Sequence, residues 1–368
     1  NNEAQLAAVL SHEAGHITAR HSAERYSQGV VTSLGAGILG AVIGQPGVSD
    51  ALGMGANLYL TSYSRGQENE ADSLGIRYMT QGSYAPDQMP AFLSSLQAQT
   101  GLDAKIAGSQ AAPAASYLST HPATQDRVLK TVAEAKAASQ ANTINADAYL
   151  SQVDGIVYGD SAAHGFAKGQ SFYHTGIGFT FTAPDGYQLV NQSELVAAVN
   201  KQNGVTIVFD MAARSAGQGA NAYIGNNWLS DKPIGKIETT TVNGMNAATT
   251  SYAGTVNNKA VTIRTMAIEF SPNRFARFQI VIPDTANAAT LTELQRTTYS
   301  FRTLSAQEKT SIKPYRVKLI TAKSGDTIQS LAGLMAFNDY RQERFQVLNG
   351  LLPNQAIEPG RRYKVIME

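Results

Sequence analysis

The first 150 residues are rich in Ala, Leu and Gln and contain few β-branched runs, which favours helices over strands. Asn2 opens this region and Gln5 follows three positions later, a pattern typical of a capping box at a helix N-terminus. Apolar residues then recur at helical spacing, so one amphipathic helix is predicted here. The positions that set this spacing are Leu6, Val9, Leu10 and Ile17.

From about residue 156 to residue 305 the pattern changes to short alternating apolar and polar segments with turn residues between them. Such alternation predicts half-buried strands. Two helical stretches, near 221–229 and 289–299, interrupt the strands, so an α+β domain with an antiparallel sheet is predicted. The clearest strand segments are 178–186, 204–210 and 274–282.

The last segment of the chain begins like a strand, continues through helical stretches and ends in a Pro-Gly turn before a short strand. The predicted fold class is therefore multidomain. It comprises a mainly α domain over 1–150, an α+β domain over 156–305 and a small βααβ module over 312–368. The length of 368 residues fits two or three domains.

Composition excludes several classes of protein. The chain has 29 basic and 28 acidic residues, a net charge of +1, which argues against nucleic acid as a partner and against a polybasic membrane patch. A hydrophobic content of 43% supports packed cores and rules out wholesale disorder. The chain has no cysteine, which excludes a disulfide framework, a Cys-ligated metal site and a thiol nucleophile.

One long uncharged stretch, residues 26–49, raises the question of a membrane segment. Its glycines and proline dilute it, whereas a spanning helix needs about 20 predominantly apolar residues, so we do not expect a span. For residues 28–60 as a whole, a membrane-touching hairpin, a lid over a cleft and ordinary packing of small helices all stay open. The chain also begins without Met, so we interpret it as a processed or trimmed chain, and the loss of a targeting segment stays open.

The segment with the clearest chemistry is HEAGH at residues 12–16, inside the first predicted helix. Residues four apart lie about 40° apart around a helix axis, so His12 and His16 can direct neutral imidazoles at one metal ion. Zinc is the expected occupant, because a catalytic zinc site needs three N or O ligands and one open position. Glu13 lies beside them and can take a proton from an activated water. The alternative is an exposed helix that happens to carry two histidines.

A second motif lies at residues 64–72, SRGQENEAD, in another predicted helix. Glu68 and Asp72 are four residues apart and share a face of it. Glu68 can supply the third metal ligand, and Asp72 can accept a hydrogen bond from the second ring nitrogen of a ligand histidine. The alternative is a solvated acidic helix face, and we assign Glu70 to that alternative because it points away from Glu68.

The paired motifs, HEAGH and then Glu68-x-x-Ala71-Asp72, resemble those of the gluzincin metallopeptidases that include the CAAX prenyl protease and the heat-shock protease HtpX. Residues 17–21 and the later segment 119–127 resemble the periplasmic branch of that family. The resemblance covers about residues 1–135. It implies a zincin-type endopeptidase domain that binds one Zn²⁺ through His12, His16 and Glu68, with Glu13 as general base.

The same resemblance implies work in the bacterial envelope, in the periplasm, on protein or peptide substrates that are damaged or misassembled. Proteases of this class usually have a strand before the active helix, whose edge holds the substrate backbone. Only eleven residues precede His12, so that strand is either missing or replaced by another segment. Its loss would weaken substrate binding and leave the zinc ligands intact.

Three further residues near these motifs have open roles. His121 could bind the metal as a fourth ligand and block the open position, or hydrogen-bond the tetrahedral intermediate; a turn His before Pro122 is the alternative. Arg127 could brace a carboxylate or the substrate, or lie on a helix surface. The family resemblance favours a functional role for both. His21 lies five residues after His16, which is the wrong face for the same metal, so a structural role is expected.

The two remaining regions resemble known modules. Residues 179–187, FTFTAPDGY, are similar to the opening of the PsbP-like α/β fold, with no catalytic constellation and with Trp228 expected in the core. A binding or spacing role is predicted there. Within 312–368, the segments SGDT at 324–327, NG at 349–350 and PG at 359–360 resemble a LysM module. That resemblance implies binding to N-acetylglucosamine chains such as peptidoglycan; a degenerate packing module is the alternative.

Two functions of different classes follow from these patterns. The first is a zinc endopeptidase of the cell envelope, held near the wall by its tail. The second is a latent or non-proteolytic zinc-stabilised module, blocked by His121, that binds wall glycan or client proteins. A purely structural role without any metal is a third possibility, and one equivalent of bound zinc would exclude it.

Overall fold

The computed structural model describes residues 1–24, 63–106, 121–138, 141–200, 202–256, 259–352 and 355–368. The chain divides into two compact units. Unit 1 comprises Asn1–Ile156 together with Val317–Met367, and unit 2 comprises Val157–Arg316 together with Glu368. The expected hairpin or lid at 28–60 lies outside the described residues. Among the helices that the structure describes, none combines the length and apolarity of a membrane span.

Helices make up the N-terminal part of unit 1. Asn2 caps the first helix as predicted, and its side chain accepts a hydrogen bond from the Gln5 backbone N–H. Arg65 begins a helix with a full capping box between Ser64 and Gln67. Within the described residues of this part, the helices are α1 Glu3–Thr18, α2 Arg65–Gln81, α3 Gln88–Ile106, α4 Gln125–Ala137 and α5 Ala146–Val153.

Small residues bring α1 and α2 into close contact. A Cβ on Gly15 would lie 2.9 Å from the backbone oxygen of Ala71, and a Cβ on Gly75 would lie 3.2 Å from the backbone nitrogen of His12. Both glycines therefore let the two helix backbones approach more closely than larger residues permit. The apolar cluster beneath this contact consists of Ala8, Ile76, Met79 and Met89.

Unit 2 contains two antiparallel sheets, as the alternating pattern predicted. One sheet has the strand order β1-β2-β3-β11 and the other the order β4-β5-β6-β10-β9-β8-β7. The strands are β1 Phe166–Lys168, β2 Ser171–His174, β3 Phe179–Thr182, β4 Gln188–Asn191, β5 Leu195–Val199, β6 Thr206–Ala213, β7 Glu238–Val242, β8 Met245–Val256, β9 Lys259–Ser271, β10 Arg274–Pro283 and β11 Arg302–Thr303.

Three helices accompany these sheets. They are α6 Ala220–Tyr223, which continues as a π-helical turn over Ile224–Trp228, α7 Ala288–Ser300 and α8 Ala306–Ser311. The two predicted helical stretches therefore lie close to their predicted positions. Trp228 is half-buried against the cluster around Phe275 and stacks on Arg277, whose guanidinium carbon lies 4.8 Å from the ring centroid. Trp228 was expected in the core, and the structure places it only partly there.

The tail supplies the rest of unit 1. Its elements are β12 Arg316–Thr321, α9 Ile328–Ala332, α10 Arg341–Asn349 and β13 Arg362–Met367, with β12 and β13 in one sheet. The order matches the predicted βααβ pattern, and Phe345 and Tyr363 form its small aromatic centre. The structure thus groups residues 317–367 with residues 1–156. The division into three domains, and the LysM identity of the tail, stay predictions.

Candidate metal centre

The first histidine pair projects from the buried side of α1. His12 and His16 are each 2% exposed, and their Nε2 atoms lie 3.0 Å apart. The one-turn spacing of the motif produces this convergence, because residues four apart stack along one helix face. Burial lowers the pKa of His16 below its usual value, so its ring is neutral near pH 7.

The second motif approaches this pair from α2. Glu68 Oε1 lies 3.4 Å from His16 Nε2, and Glu68 Oε2 lies 3.6 Å from His12 Nε2. Asp72, one turn later, places Oδ1 2.9 Å from His12 Nδ1. The structure therefore brings together the two predicted motifs, which are separated by 52 residues from His16 to Glu68, at the contact between α1 and α2.

Arg127 enters the centre from α4 and joins the two carboxylates. Its Nη1 lies 2.5 Å from Glu68 Oε2, and its Nε and Nη2 each lie 2.7 Å from an oxygen of Asp72. The side chain also donates from Nη1 to the carbonyl of Pro122, at 2.9 Å. Of the two alternatives for Arg127, the structure shows the buried one, in which the guanidinium braces carboxylates.

Burial and hydrogen bonding act in opposite directions on these acids. Burial by itself would raise the pKa of Glu68, but its contacts with the His121 and His16 rings and the charge of Arg127 bring that pKa to about 2. For Asp72, burial is likewise outweighed by hydrogen bonds from Arg127 and His12, so its pKa lies below its usual value. Both carboxylates are therefore ionised near pH 7.

His121 completes a buried donor cluster. Its Nδ1 lies 2.9 Å from Glu68 Oε1 and 3.3 Å from His12 Nε2. The side chains of His12, His16, Glu68 and His121 each offer one ligand atom, and these atoms lie within 4.8 Å of one another. This group could hold a metal ion. The geometry places His121 inside the cluster and is compatible with both of its predicted functional roles.

Glu13 lies at the border of this cluster and solvent. Its side chain is 39% exposed, and its Oε1 lies 3.6 Å from His121 Nε2. Within the described part of the chain, Oε1 is buried without a hydrogen-bond partner. A carboxylate so placed can exchange a proton with a molecule bound between the cluster and solvent.

Two contacts to His16, and a third that reaches it through His21, were not expected from the sequence. His21 Nδ1 lies 2.8 Å from His16 Nδ1, and Glu70 Oε2 lies 3.3 Å from His21 Nε2. The Tyr63 ring stacks on the His16 ring, with centroids 3.8 Å apart. Glu70, assigned to a solvated face, is 61% exposed in its side chain and yet reaches this buried histidine. The short spacing from His16 to His21, across the end of α1, was the one available signal.

The histidines of unit 2 take no part in this cluster. His164 is exposed. His174 is half-buried: its Nδ1 accepts a hydrogen bond from the Ile177 backbone N–H, and its ring lies against Phe179.

The donor set suits a divalent cation. Because Asp72 is ionised and can only accept, His12 Nδ1 carries a proton and its Nε2 presents a lone pair. That lone pair faces His16 Nε2 at 3.0 Å and the Glu68 carboxylate at 3.6 Å. Nitrogen and oxygen donors that converge in a buried site are the ligands that zinc and similar metals take in proteins.

The family comparison covers the same part of the chain. The model of peptidase family M48 matches residues 1–135. The β-barrel assembly-enhancing protease of Yersinia pestis is 34% identical over 110 residues, which are 27% of this chain and 22% of that protein. The mitochondrial metalloendopeptidase OMA1 of Schizosaccharomyces pombe is 31% identical over 125 residues, which are 34% of each chain. The chain thus spans about a fifth to a third of these relatives.

A solved structure gives a weaker similarity. The cyanobacterial PsbP of Synechocystis matches with 11% identity and a TM-score of 0.31, over 36% of this chain and 91% of that one. That score does not establish a shared fold, so the PsbP-like interpretation stays a prediction. The N-terminal region is different, because motifs, geometry and family model agree there. Residues 1–135 of this chain form a domain of peptidase family M48, the metal-dependent gluzincin proteases.

Proposed function

We propose that this chain is a zinc-dependent endopeptidase of the bacterial cell envelope that hydrolyses peptide bonds in misfolded or misassembled proteins. The observation that carries the proposal is the buried convergence of His12, His16 and Glu68 from two helices, with Glu13 beside them at the edge of solvent. The names of the relatives, a protease for β-barrel assembly and a mitochondrial endopeptidase, support protein substrates.

His12, His16 and Glu68 would hold one zinc ion per chain. Zinc, when bound, supplies Lewis-acid polarisation of the scissile carbonyl and lowers the pKa of a water to near 7. Asp72 keeps His12 in the tautomer that has its lone pair at Nε2, and Arg127 keeps both carboxylates ionised.

Glu13 is the general base. Its carboxylate accepts a proton from the attacking water and passes that proton to the leaving amine, for which its partly exposed position gives access to both. His121 and Arg127 are the other two residues that we assign to the active site. His121 would stabilise the tetrahedral oxyanion, and Arg127 would hold the carboxylates that support the ligands.

One observation favours a latent state as a second candidate. His121 Nδ1 lies 3.3 Å from His12 Nε2 and belongs to the four-residue donor group. A fourth protein ligand would fill the position that a catalytic zinc keeps open. The chain would then be a zinc-stabilised envelope module that binds peptidoglycan or client proteins and does not cleave them while His121 stays in place.

The remaining regions would determine where in the cell envelope this activity is located. We assign 1–150 to the protease domain, 156–305 to a PsbP-like α+β domain with a binding or spacing role, and 312–368 to a LysM-like module that binds peptidoglycan. Residues 28–60 would contact a membrane surface or cover the cleft. A periplasmic location would follow from these assignments.

Casein cleavage tests the endopeptidase proposal. We expect wild-type chain loaded with one zinc to cleave unfolded casein, and Glu13→Gln to cleave it about 10²–10⁴ times more slowly while still holding one zinc, because only the proton acceptor is lost. Glu3→Gln is the matched control: Glu3 lies on the same helix, bonds Tyr84 and Asn145, and takes no part in the cluster. Zinc binding without cleavage by the wild type would favour the latent module. A wild type that binds no zinc would exclude both.

A further inference from the structure

His21 and Glu70 form a chain of contacts that ends on a candidate zinc ligand. His21 is 1% exposed, and it lies outside the four-residue donor group. Its Nδ1 lies 2.8 Å from His16 Nδ1, and its Nε2 lies 3.3 Å from Glu70 Oε2. His16 turns its other nitrogen, Nε2, toward the cluster. The contact thus reaches the side of the ring that a metal would not occupy.

The Glu70 carboxylate at the end of this chain of contacts sets which nitrogen of each ring carries a proton. A carboxylate oxygen accepts, so the hydrogen bond with Glu70 Oε2 places the His21 proton at Nε2. His21 Nδ1 is then a lone pair, which can accept the proton on His16 Nδ1. A neutral His16 with its proton at Nδ1 presents a lone pair at Nε2, which is the form that binds a metal.

Each of the two motif histidines therefore has its own hydrogen-bond partner at Nδ1, on the side of the ring that faces away from the donor cluster. His12 Nδ1 meets the Asp72 carboxylate at 2.9 Å, and His16 Nδ1 meets His21 at 2.8 Å. The His16 ring is also held from its face by Tyr63, at an interplanar angle of 27°. Asp72 acts directly, whereas Glu70 acts through the His21 ring.

We propose that His21 is a positioning residue that fixes the orientation and tautomer of His16 for zinc binding, and that Glu70 fixes the tautomer of His21. The proposal rests on the proposed zinc-peptidase function and extends its support beyond the Asp72 side. A residue that only filled space near α1 would not need a hydrogen-bond acceptor opposite His16 Nδ1.

Zinc affinity of the full chain provides the first test. We expect His21→Phe, which keeps a ring but removes the acceptor, to bind zinc about 10–100 times more weakly in competition with a chromogenic chelator. His21→Asn, whose side-chain oxygen can take the place of Nδ1, should recover most of that loss. His164→Phe is the matched control, since His164 is an exposed histidine of unit 2, and it should bind as the wild type does.

Nitrogen-resolved NMR of the zinc-loaded wild type provides a second test that needs no substitution. We expect the His21 proton at Nε2 and the His16 proton at Nδ1. A His21 proton at Nδ1, or His21→Phe with wild-type zinc affinity, would overturn the proposal and leave the protease function standing. A wild type that binds no zinc would overturn both. If His21→Phe does not fold, the measured tautomers and the zinc affinity of His21→Asn test the proposal in its place.

Discussion

At the scale of single residues, the metal centre depends on one buried guanidinium group that forms ion pairs with two carboxylates. Arg127 is 4% exposed and contacts both Glu68 and Asp72, whose pKa values it holds down. A buried carboxylate that loses its partner must either remain charged in a poor solvent or take up a proton. Both outcomes destabilise the fold or the ligand geometry.

Arg127→Ala should lower the free energy of unfolding of unit 1 in the metal-free chain by about 3–5 kcal/mol, because it leaves buried charges without compensation. Urea unfolding followed by far-ultraviolet circular dichroism measures this loss. The sole tryptophan, Trp228, lies in unit 2, so its fluorescence reports the other unit and should show an unchanged midpoint. Arg361→Ala, which removes an exposed pair with Glu358, should cost below about 1 kcal/mol. Equal losses in the two variants would contradict the assignment of Arg127.

Whether His121 binds the metal distinguishes the latent proposal from the catalytic one. If His121 caps the metal, His121→Ala should raise the rate of casein cleavage at equal zinc content, because it frees the fourth position. The cleavage rate of zinc-loaded protein, with zinc measured in the same sample, checks this expectation. An unchanged or lower rate would exclude capping and support a role of His121 in stabilising the oxyanion.

At the scale of elements, the centre depends on how closely α1 approaches α2. Gly15 lies between the two motif histidines, at the point where a Cβ would meet the Ala71 backbone at 2.9 and 3.1 Å. Backbone cannot move aside as a flexible side chain can. Gly15, which is not a metal ligand, therefore helps to set the distance between His16 and Glu68.

Gly15→Ala should destabilise unit 1 by about 1–3 kcal/mol and weaken zinc binding, because the extra methyl group pushes the helices apart. Gly101→Ala is the control within α3: its Cβ would meet nothing within 4 Å, so stability should rise by about 0.5–1 kcal/mol. Chemical unfolding and chelator competition measure the two effects. A Gly15→Ala chain as stable as the wild type would show that α1 and α2 can separate without cost.

At the scale of the whole molecule, the tail belongs to the same compact unit as the protease domain. Helix α10 packs against α3, Lys105 Nζ lies 2.6 Å from Glu343 Oε1, and Arg362 Nη2 lies 2.8 Å from Asp147 Oδ1. The exposed ion pairs by themselves contribute little. The packing of α10 is what we expect to matter.

Deletion of residues 312–368 should therefore lower the Tm of the helical transition by about 2–4 °C or more, the shift that 1 kcal/mol produces in a domain of this size. Thermal scans by circular dichroism measure it. Lys105→Met removes one ion pair but keeps the packing, and should change the Tm little. An unchanged Tm after deletion would instead support a tail that folds independently, as the three-domain prediction has it.

The sequence determined the chemistry and the local elements of this protein. The spacing of His12 and His16, the capping residue Asn2 and the alternating strands were legible because helical and strand periodicities are properties of short segments. Tertiary structure alone decided which distant residues meet: His121 beside Glu68, Arg127 between two acids, and His21 and Glu70 behind His16. These contacts join separate segments, and their geometry follows from helix packing at Gly15 and Gly75, which no local pattern records.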